Sequence, residues 1–373
     1  MSCKISRRQF LQVTGAAAAA VMLAGLPLSA FAAEYGAPNI TTETTMTELH
    51  NHPSLVGADI LTYSKDKYFP QRQKWANKTL GEYVGSWVAE DCANGLNLLI
   101  ENYNSGVQVT RKIYSAEEIA QDPSKNDAEV YYFPAADAGR KAKYALVLSG
   151  NVGTKTAEMK ECISTAYQLH EMGYAVFAMR YRVWPENDDN APIEDVGNAI
   201  RYITDHAEEL GVQTEGYAVL GHSSGGHITG IFGSDQLGYK QFGVPKPGAL
   251  ILAYPVINFS EAEPVYHVVV DQLKPSLCYY QLSVSAAVTD DFPPVYFWYG
   301  KDDMLLIALN FQLQGPALRR ALIRHNVPYK EVVYEHAAHG IGLANGTEAE
   351  GWLNDAVAFW EEQTAAAEGG ISE

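Results

Sequence analysis

Cationic residues are scarce in this chain. Lys and Arg total 27 against 44 Asp and Glu, so the formal net charge at pH 7 is −17. A nucleic-acid-binding surface neutralises phosphates with clustered Lys and Arg, and an anionic membrane surface attracts the same residues. The composition therefore argues against nucleic acid and against anionic membranes as partners.

Cysteine is also rare, with four residues in 373. Cys3 lies in the N-terminal segment treated next, which leaves Cys92, Cys162 and Cys278. Three cysteines allow at most one disulfide, and their spacing matches no metal-binding template. We therefore expect no metal centre built on cysteine, and no disulfide framework.

Long apolar runs are absent except at the N-terminus, from Val13 to Leu26. The twin-arginine signature Ser6-Arg7-Arg8-Gln9-Phe10-Leu11 precedes this run, and Ala30-Phe31-Ala32 follows it as a small-residue cleavage site. Residues 1–32 are predicted to be a signal peptide, with the twin-arginine export machinery as partner. A membrane anchor is the alternative, but the run is short and Ala-rich. We expect export from the bacterial cytoplasm and no stable membrane anchor after cleavage.

The sequence contains one G-x-S-x-G motif, Gly221-His222-Ser223-Ser224-Gly225. An apolar run from Tyr217 to Leu220 precedes it and a small-residue helical pattern follows it. This strand-turn-helix context is that of a nucleophile elbow, in which the glycines allow the strained turn that exposes the serine. The motif is short enough to arise by chance, so its surroundings must decide whether Ser223 is a nucleophile.

The chain divides near residue 128. Residues 33–127 contain a helical pattern from Trp87 to Ile100 and an alternating run from Val107 to Ile113 that is typical of an edge strand. We interpret this region as an N-terminal accessory layer that packs near a site or serves as plain core.

From Glu129 onward, strand-like runs alternate with helical patterns. A pattern from Ile193 to Leu210, with Gly211 as a stop signal, is the clearest helix. Such alternation predicts an α/β fold with a mostly parallel central sheet flanked by helices, whose site lies at the carboxyl ends of the strands. The predicted strands are 130–133, 144–148, 174–179, 217–220, 249–253, 295–299 and 329–334.

A nucleophilic serine needs a base, and the base needs a carboxylate that orients it. Two acidic residues, Asp302 and Asp303, follow the predicted strand 295–299, and two histidines, His336 and His339, follow the strand 329–334. Acid and histidine come after the serine in the order that a nucleophile elbow requires. Spacing alone leaves both choices open.

At these motifs the chain resembles the α/β-hydrolase superfamily, from about Glu129 to Trp360. Within it, the chain is similar to the esterases grouped with acetyl-xylan esterases. The matching motifs are Gly173–Phe177, Arg180–Val183, Pro192–Asp195 with Ala199–Tyr202, Gly221–His227, Asp290–Pro294 with Asp302-Asp303, and His339–Leu343.

The resemblance implies an α/β-hydrolase fold with Ser223 as nucleophile and His339 as base. It implies Asp303 as the acid in preference to Asp302, because Asp303 falls on the family's acid position. The Ser224 N–H is expected to bind the oxyanion. The second donor, from Asn151 or Val152, is less defined because the turn 149–153 contains only two glycines where the family has a Gly-rich turn.

Three further features complete the predicted catalytic domain, residues 128–366. The segment 254–294 is long for a connection and is interpreted as a lid insertion that carries His267, Tyr279 and Tyr280. The alternative, that this insertion is purely structural, stays open. Trp184, His222 and Tyr254 are candidate substrate-pocket residues, although the position of His222 and His227 is more typical of packing histidines. No metal and no organic cofactor is implied.

The predicted activity is hydrolysis of carboxylic esters through an acyl-enzyme. The resemblance suggests small acyl groups such as acetate on carbohydrates or related alcohols. One alternative is a peptidase of the prolyl-oligopeptidase kind. Such peptidases usually carry a propeller domain, and residues 33–127 are too few to form one. The other is a non-catalytic exported binding protein on a hydrolase scaffold, which the altered turn 149–153 makes conceivable.

Overall fold

The computed structural model describes residues 36–60, 75–137, 140–152, 155–183, 190–259 and 283–369. The predicted signal peptide, Trp184 and residues 260–282 of the predicted lid, with His267, Tyr279 and Tyr280, lie outside these ranges. Of the lid segment, the structure describes 254–259 and 283–294.

An eight-stranded sheet forms the centre of the described structure, in the order β1-β2-β6-β3-β7-β8-β9-β10. β2 pairs antiparallel with β1 and with β6, and the strands from β6 to β10 are parallel. β4 and β5 form a separate hairpin. The strands are β1 Thr110–Lys112, β2 Glu129–Phe133, β3 Tyr144–Leu148, β4 Asn151–Val152, β5 Lys155–Thr156, β6 Ala175–Arg180, β7 Ala218–His222, β8 Ala249–Ala253, β9 Val295–Gly300 and β10 Tyr329–Tyr334.

All seven predicted strands of the catalytic region are present, and the prediction of a mostly parallel α/β sheet is confirmed. The run 107–113 contains β1 at the sheet edge, as its alternation predicted. Every residue of β3, β7, β8 and β9 is buried. Continuous apolar strands of this kind are typical of parallel sheets covered on both faces.

Helices cover both faces of the sheet. α4 and α13 pack with the apolar cluster on one face, and α7, α9 and α12 with the cluster on the other. The helices are α1 Met46–Asn51, α2 Pro53–Gly57, α3 Leu80–Val84, α4 Ala89–Asn104, α5 Ala116–Gln121, α6 Ser164–Glu171, α7 Ala191–Asp205, α8 Ala207–Leu210, α9 Ser224–Phe232, α10 Val284–Ala287, α11 Met304–Ala308, α12 Gly315–Arg324 and α13 Trp352–Gly369, with a π-helix at Glu158–Ile163 and 3-10 turns at Pro123–Asp127 and Phe311–Leu313.

The helix predicted from Ile193 to Leu210 is two helices, α7 and α8, which meet at His206. The His206 imidazole donates from Nδ1 to the carbonyl of Tyr202, 2.8 Å away, and the His206 backbone N–H donates to the same carbonyl. Gly211 ends α8 in the left-handed conformation, at φ 64°. The stop signal was therefore predicted correctly, but the break at His206 was not.

The N-terminal region is continuous with the rest of the structure. β1 belongs to the central sheet, and α4 packs against α6 on one face of it. Leu96, Leu99 and Ile100 of α4 are fully buried in the same apolar cluster as Val147 and Leu220. The boundary at residue 128 thus marks where the family resemblance begins, not a break in packing.

We expect Leu99→Ala to lower the free energy of unfolding by about 2–5 kcal/mol, because it leaves a cavity in the shared core. Urea unfolding followed by circular dichroism and by tryptophan fluorescence should show one transition, shifted together in both signals. The exposed Glu101→Ala on the same helix is the control, with a change within about 0.5 kcal/mol. A separate early transition would show that the N-terminal layer unfolds on its own.

Candidate active site

Ser223 lies at the turn between β7 and α9. Its backbone is at φ 54° and ψ −119°, a conformation that non-glycine residues rarely adopt. A Cβ on Gly221 would lie 2.3 Å from the carbonyl oxygen of Gly225, and one on Gly225 2.4 Å from that of Ser149. Both flanking glycines are therefore required by close backbone contacts, as the elbow motif predicts.

Three side chains meet at the carboxyl ends of β7, β9 and β10. Ser223 Oγ lies 2.7 Å from His339 Nε2, and His339 Nδ1 lies 2.7 Å from Asp303 Oδ2. Asp303 is fully buried, and its Oδ1 accepts the N–H groups of Leu305 and Leu306 at the start of α11. These bonds hold the carboxylate in one orientation, and the carboxylate directs Nε2 of His339 toward the serine.

The two rival residues lie at the surface. Asp302 and His336 are 3.2 Å apart, and their side chains are 53% and 82% exposed. They pair with each other, whereas Asp303 bonds His339 and His339 bonds Ser223. Geometry therefore separates two pairs of residues that spacing alone could not.

The predicted oxyanion residues lie beside the serine, with an unexpected contact between them. The Asn151 N–H donates to Ser224 Oγ at 2.9 Å, and that hydroxyl donates in turn to Asn151 Oδ1. The backbone of Val152 continues into the β4–β5 hairpin. The Ser224 N–H is at the N-terminus of α9, where the helix dipole favours negative charge. An oxyanion can reach the Asn151 N–H only after the Ser224 hydroxyl turns away.

His222 and Tyr254 lie beneath the site and do not line a pocket. Both side chains are fully buried. His222 donates from Nδ1 to the Leu148 carbonyl at 3.1 Å, and burial lowers its pKa. The Tyr254 ring meets the His339 ring edge-on, with 5.1 Å between centroids. The prediction that these two residues contact substrate is therefore wrong, because they are enclosed by packing against β3 and against residues 335–345. These residues carry His339 and are called the histidine loop.

Glu161 lies at the site but is not among the residues that the sequence predicted there. This carboxylate is buried near Ser223, where it accepts the Gly150 N–H at 2.6 Å and the Tyr254 hydroxyl at 2.8 Å. Its sequence context, a mixed polar and apolar helical run, carries no signal that separates it from a surface glutamate. Only the packing of the π-helix on the sheet brings it to the site.

The N-terminal layer also supports the histidine loop. Asp91 on α4 accepts from the Asn345 side chain at 2.7 Å, and the Trp87 carbonyl accepts from the Asn345 backbone at 3.3 Å. Gln168 donates to the other oxygen of Asp91. The loop that carries His339 is thereby tied to a region outside the family resemblance.

Within the described ranges, no group of three or more His, Cys, Asp or Glu residues could hold a metal ion. None of the helices in those ranges has the length and apolar character needed to cross a membrane. Cys92 and Cys162 are buried and form no disulfide.

Two family models match the chain. The BD-FAE model matches residues 134–244, and the TAT (twin-arginine translocation) pathway signal sequence matches residues 4–24. The N-terminal segment is thus a twin-arginine signal, and the predicted export from the cytoplasm is confirmed.

The similar proteins include enzymes with xylan-related names. The chain is 26% identical to endo-1,4-beta-xylanase B of Butyrivibrio fibrisolvens over 171 residues, which are 43% of this chain and 26% of that protein. It is 31% identical to an acetylxylan esterase of Xylanibacter ruminicola over 93 residues, which are 25% of this chain and 18% of that protein. The chain therefore spans about a quarter or less of the length of either relative.

Among solved structures, the acetyl ester-xyloside bifunctional hydrolase of Caldicellulosiruptor lactoaceticus superposes with a TM-score of 0.57 at 22% identity. The superposition covers 68% of this chain and 95% of that one. At this identity the likeness establishes the fold.

Proposed function

The chain has the α/β-hydrolase fold, and we propose that it is an exported serine esterase that removes small acyl groups, such as acetate, from carbohydrates or related alcohols. The observation that carries the proposal is the continuous hydrogen-bonded series Asp303, His339, Ser223 at the carboxyl edge of the sheet. The names of the relatives, an acetylxylan esterase and an acetyl ester-xyloside hydrolase, support the acyl group and the class of alcohol.

In the proposed reaction, Ser223 Oγ attacks the ester carbonyl while His339 Nε2 takes the hydroxyl proton. Asp303 stabilises the imidazolium that forms. Collapse of the tetrahedral intermediate breaks the bond to the alcohol, which leaves with the proton from His339. Water then attacks the acyl carbonyl while His339 takes its proton. The second tetrahedral intermediate collapses, which breaks the bond to Ser223 Oγ and releases the acid, and His339 returns the proton to Oγ.

The Ser224 N–H and a second donor, from Asn151 or Val152, are proposed to bind the oxyanion. One such donor is worth on the order of a hundredfold or more in rate. Because the Asn151 N–H is bonded to Ser224 Oγ, its use requires rotation of the Ser224 side chain during the reaction. The reaction uses only groups of this chain and water.

The proposal is tested by the chain-length preference of the mature protein. p-Nitrophenyl acetate should be hydrolysed faster than the butyrate and much faster than the octanoate, and acetate should be released from acetylated xylo-oligosaccharides. Preference for octanoate would favour a lipid or bulky ester instead.

The contact between Asn151 and Ser224 gives one reason to keep a second candidate, a non-catalytic binding protein. A fluorophosphonate probe separates the two, because an activated Ser223 becomes labelled and an inert scaffold does not. Absence of both labelling and ester turnover would favour the binding protein.

A further inference from the structure

Glu161 is a buried carboxylate whose contacts in the described part of the chain are both neutral donors. Its side chain is 3% exposed in total, and it accepts from the Gly150 N–H and the Tyr254 hydroxyl. Burying a carboxylate without a cation is costly, since hydrogen bonds only partly replace its hydration. Such a cost calls for a reason beyond packing, and the two contacts of Glu161 indicate one.

The first contact leads to the loop that approaches the nucleophile. Gly150 follows β3, and a Cβ on it would lie 2.9 Å from Ser223 Cβ and 3.3 Å from Glu161 Oε2. The Gly150 backbone is held on both sides, because its carbonyl accepts from the Ala157 N–H at 2.9 Å. Asn151, a candidate oxyanion donor, is the next residue. The bond to Glu161 thus anchors one residue of this oxyanion loop, residues 149–151, beside Ser223.

The second contact leads to the histidine. The Tyr254 hydroxyl donates to Glu161 Oε1 and accepts the Gly342 N–H at 2.9 Å, and the Tyr254 ring packs against His339. Burial, followed by the negative charge of Glu161, raises the pKa of Tyr254, so the hydroxyl stays protonated. The Tyr254 backbone is at φ 38°, a strained value for a bulky residue.

The element that carries Glu161 is itself unusual. Residues Glu158–Ile163 form a π-helix that runs directly into α6. Single π-helical turns are rare and are frequent at functional sites. Here the π-helix places the Glu161 carboxylate between Gly150, which follows β3, and Tyr254, which follows β8.

We propose that Glu161 is a positioning residue that holds the oxyanion loop and the histidine loop in register around Ser223. It acts on one loop through the Gly150 N–H and on the other through the Tyr254 hydroxyl. This inference rests on the proposed esterase function, and it adds a residue that touches neither substrate nor the reacting atoms.

Variants at position 161 separate the effect of side-chain length from the effect of the negative charge. Glu161→Gln keeps the length of the side chain and an oxygen for the Gly150 N–H, whereas Glu161→Asp keeps the charge but is too short to span both partners. We expect kcat to fall about 100-fold in Glu161→Ala, because misplaced groups at a reacting centre cost that much. Glu161→Gln should retain more activity than Glu161→Asp, with KM changed less than about threefold in each, since ground-state binding is untouched.

Tyr254→Phe tests the second half of the connection, because it removes the hydroxyl and keeps the ring against His339. Glu161→Ala combined with Tyr254→Phe should lose little more than Glu161→Ala alone, since the two act as one unit. Glu331→Gln is the matched control. Glu331 is a largely buried carboxylate in the middle of β10 that bonds Tyr299 and Arg319, and its replacement should leave kcat unchanged.

The rate of fluorophosphonate labelling of Ser223 should fall in parallel with kcat and provides a readout independent of any ester. If kcat and labelling are unchanged in a folded Glu161→Ala, the positioning role is wrong while the esterase proposal stands. Full activity in Glu161→Asp with none in Glu161→Gln would replace positioning by a charge effect and overturn the inference. A wild-type protein that labels but hydrolyses no ester would contradict only the esterase proposal, whereas one that does neither would remove both.

Discussion

Ser223→Ala is expected to lower kcat/KM for p-nitrophenyl acetate by about 10⁴–10⁶-fold, because it removes the hydroxyl that is bonded to His339 and that would form the acyl-enzyme. The variant should unfold at the same urea concentration as the wild type, since the elbow backbone is set by Gly221 and Gly225. Initial rates at saturating ester, with the p-nitrophenolate released by an enzyme-free blank subtracted, are the measurement.

Ser234→Ala is the control for this change. Ser234 is a buried serine just beyond α9, and its loss should change kcat less than twofold by leaving the site untouched. If Ser223→Ala retained a tenth of the wild-type rate, then the observed hydrolysis would not proceed through Ser223. Mass spectrometry of the fluorophosphonate-treated wild type should place the adduct on the peptide that contains this residue.

Asp303→Asn is expected to lower kcat at neutral pH by about 10⁴-fold, because the amide favours the wrong histidine tautomer and cannot stabilise the imidazolium. The loss should be catalytic rather than structural. Asp303 also caps α11 by accepting from Leu305 and Leu306, and asparagine caps helices as well as aspartate does. Steady-state kinetics and thermal unfolding of the same preparation separate the two effects.

Asp302→Asn is the matched control, one residue away with the same change of charge. Asp302 is half-exposed and pairs with the exposed His336, and such surface pairs contribute little. We expect kcat to change less than twofold. A large loss in Asp302→Asn together with a small one in Asp303→Asn would transfer the acid role to Asp302.

The parts of the molecule that were predictable depend on local patterns. Apolar runs of strand length and the amphipathic run from Ile193 identified the strands and helices of residues 129–360 because burial imposes those periods directly on the sequence. The elbow was predictable only in part for this reason. A Cβ on Gly221 would meet the Gly225 carbonyl four residues along the chain, whereas the contact that requires glycine at position 225 is with Ser149, which is distant in the chain. The break at His206 was not predictable, because the apolar residues continue at helical spacing through it from Ile193 to Leu210.

The sequence by itself determined where the strands lie along the chain, that a serine stands at an elbow turn, and that an acid and a histidine follow later strands, since each follows from neighbouring residues. Only the tertiary structure decided which acid and which histidine form the hydrogen-bonded series with Ser223. It also decided that the Ser224 hydroxyl accepts the Asn151 N–H and that His222 and Tyr254 are enclosed. It also brought Glu161 to the oxyanion loop and Asp91 to the histidine loop. These contacts join residues distant in the chain, and the free energy that selects them comes from packing on the sheet, which no local pattern records.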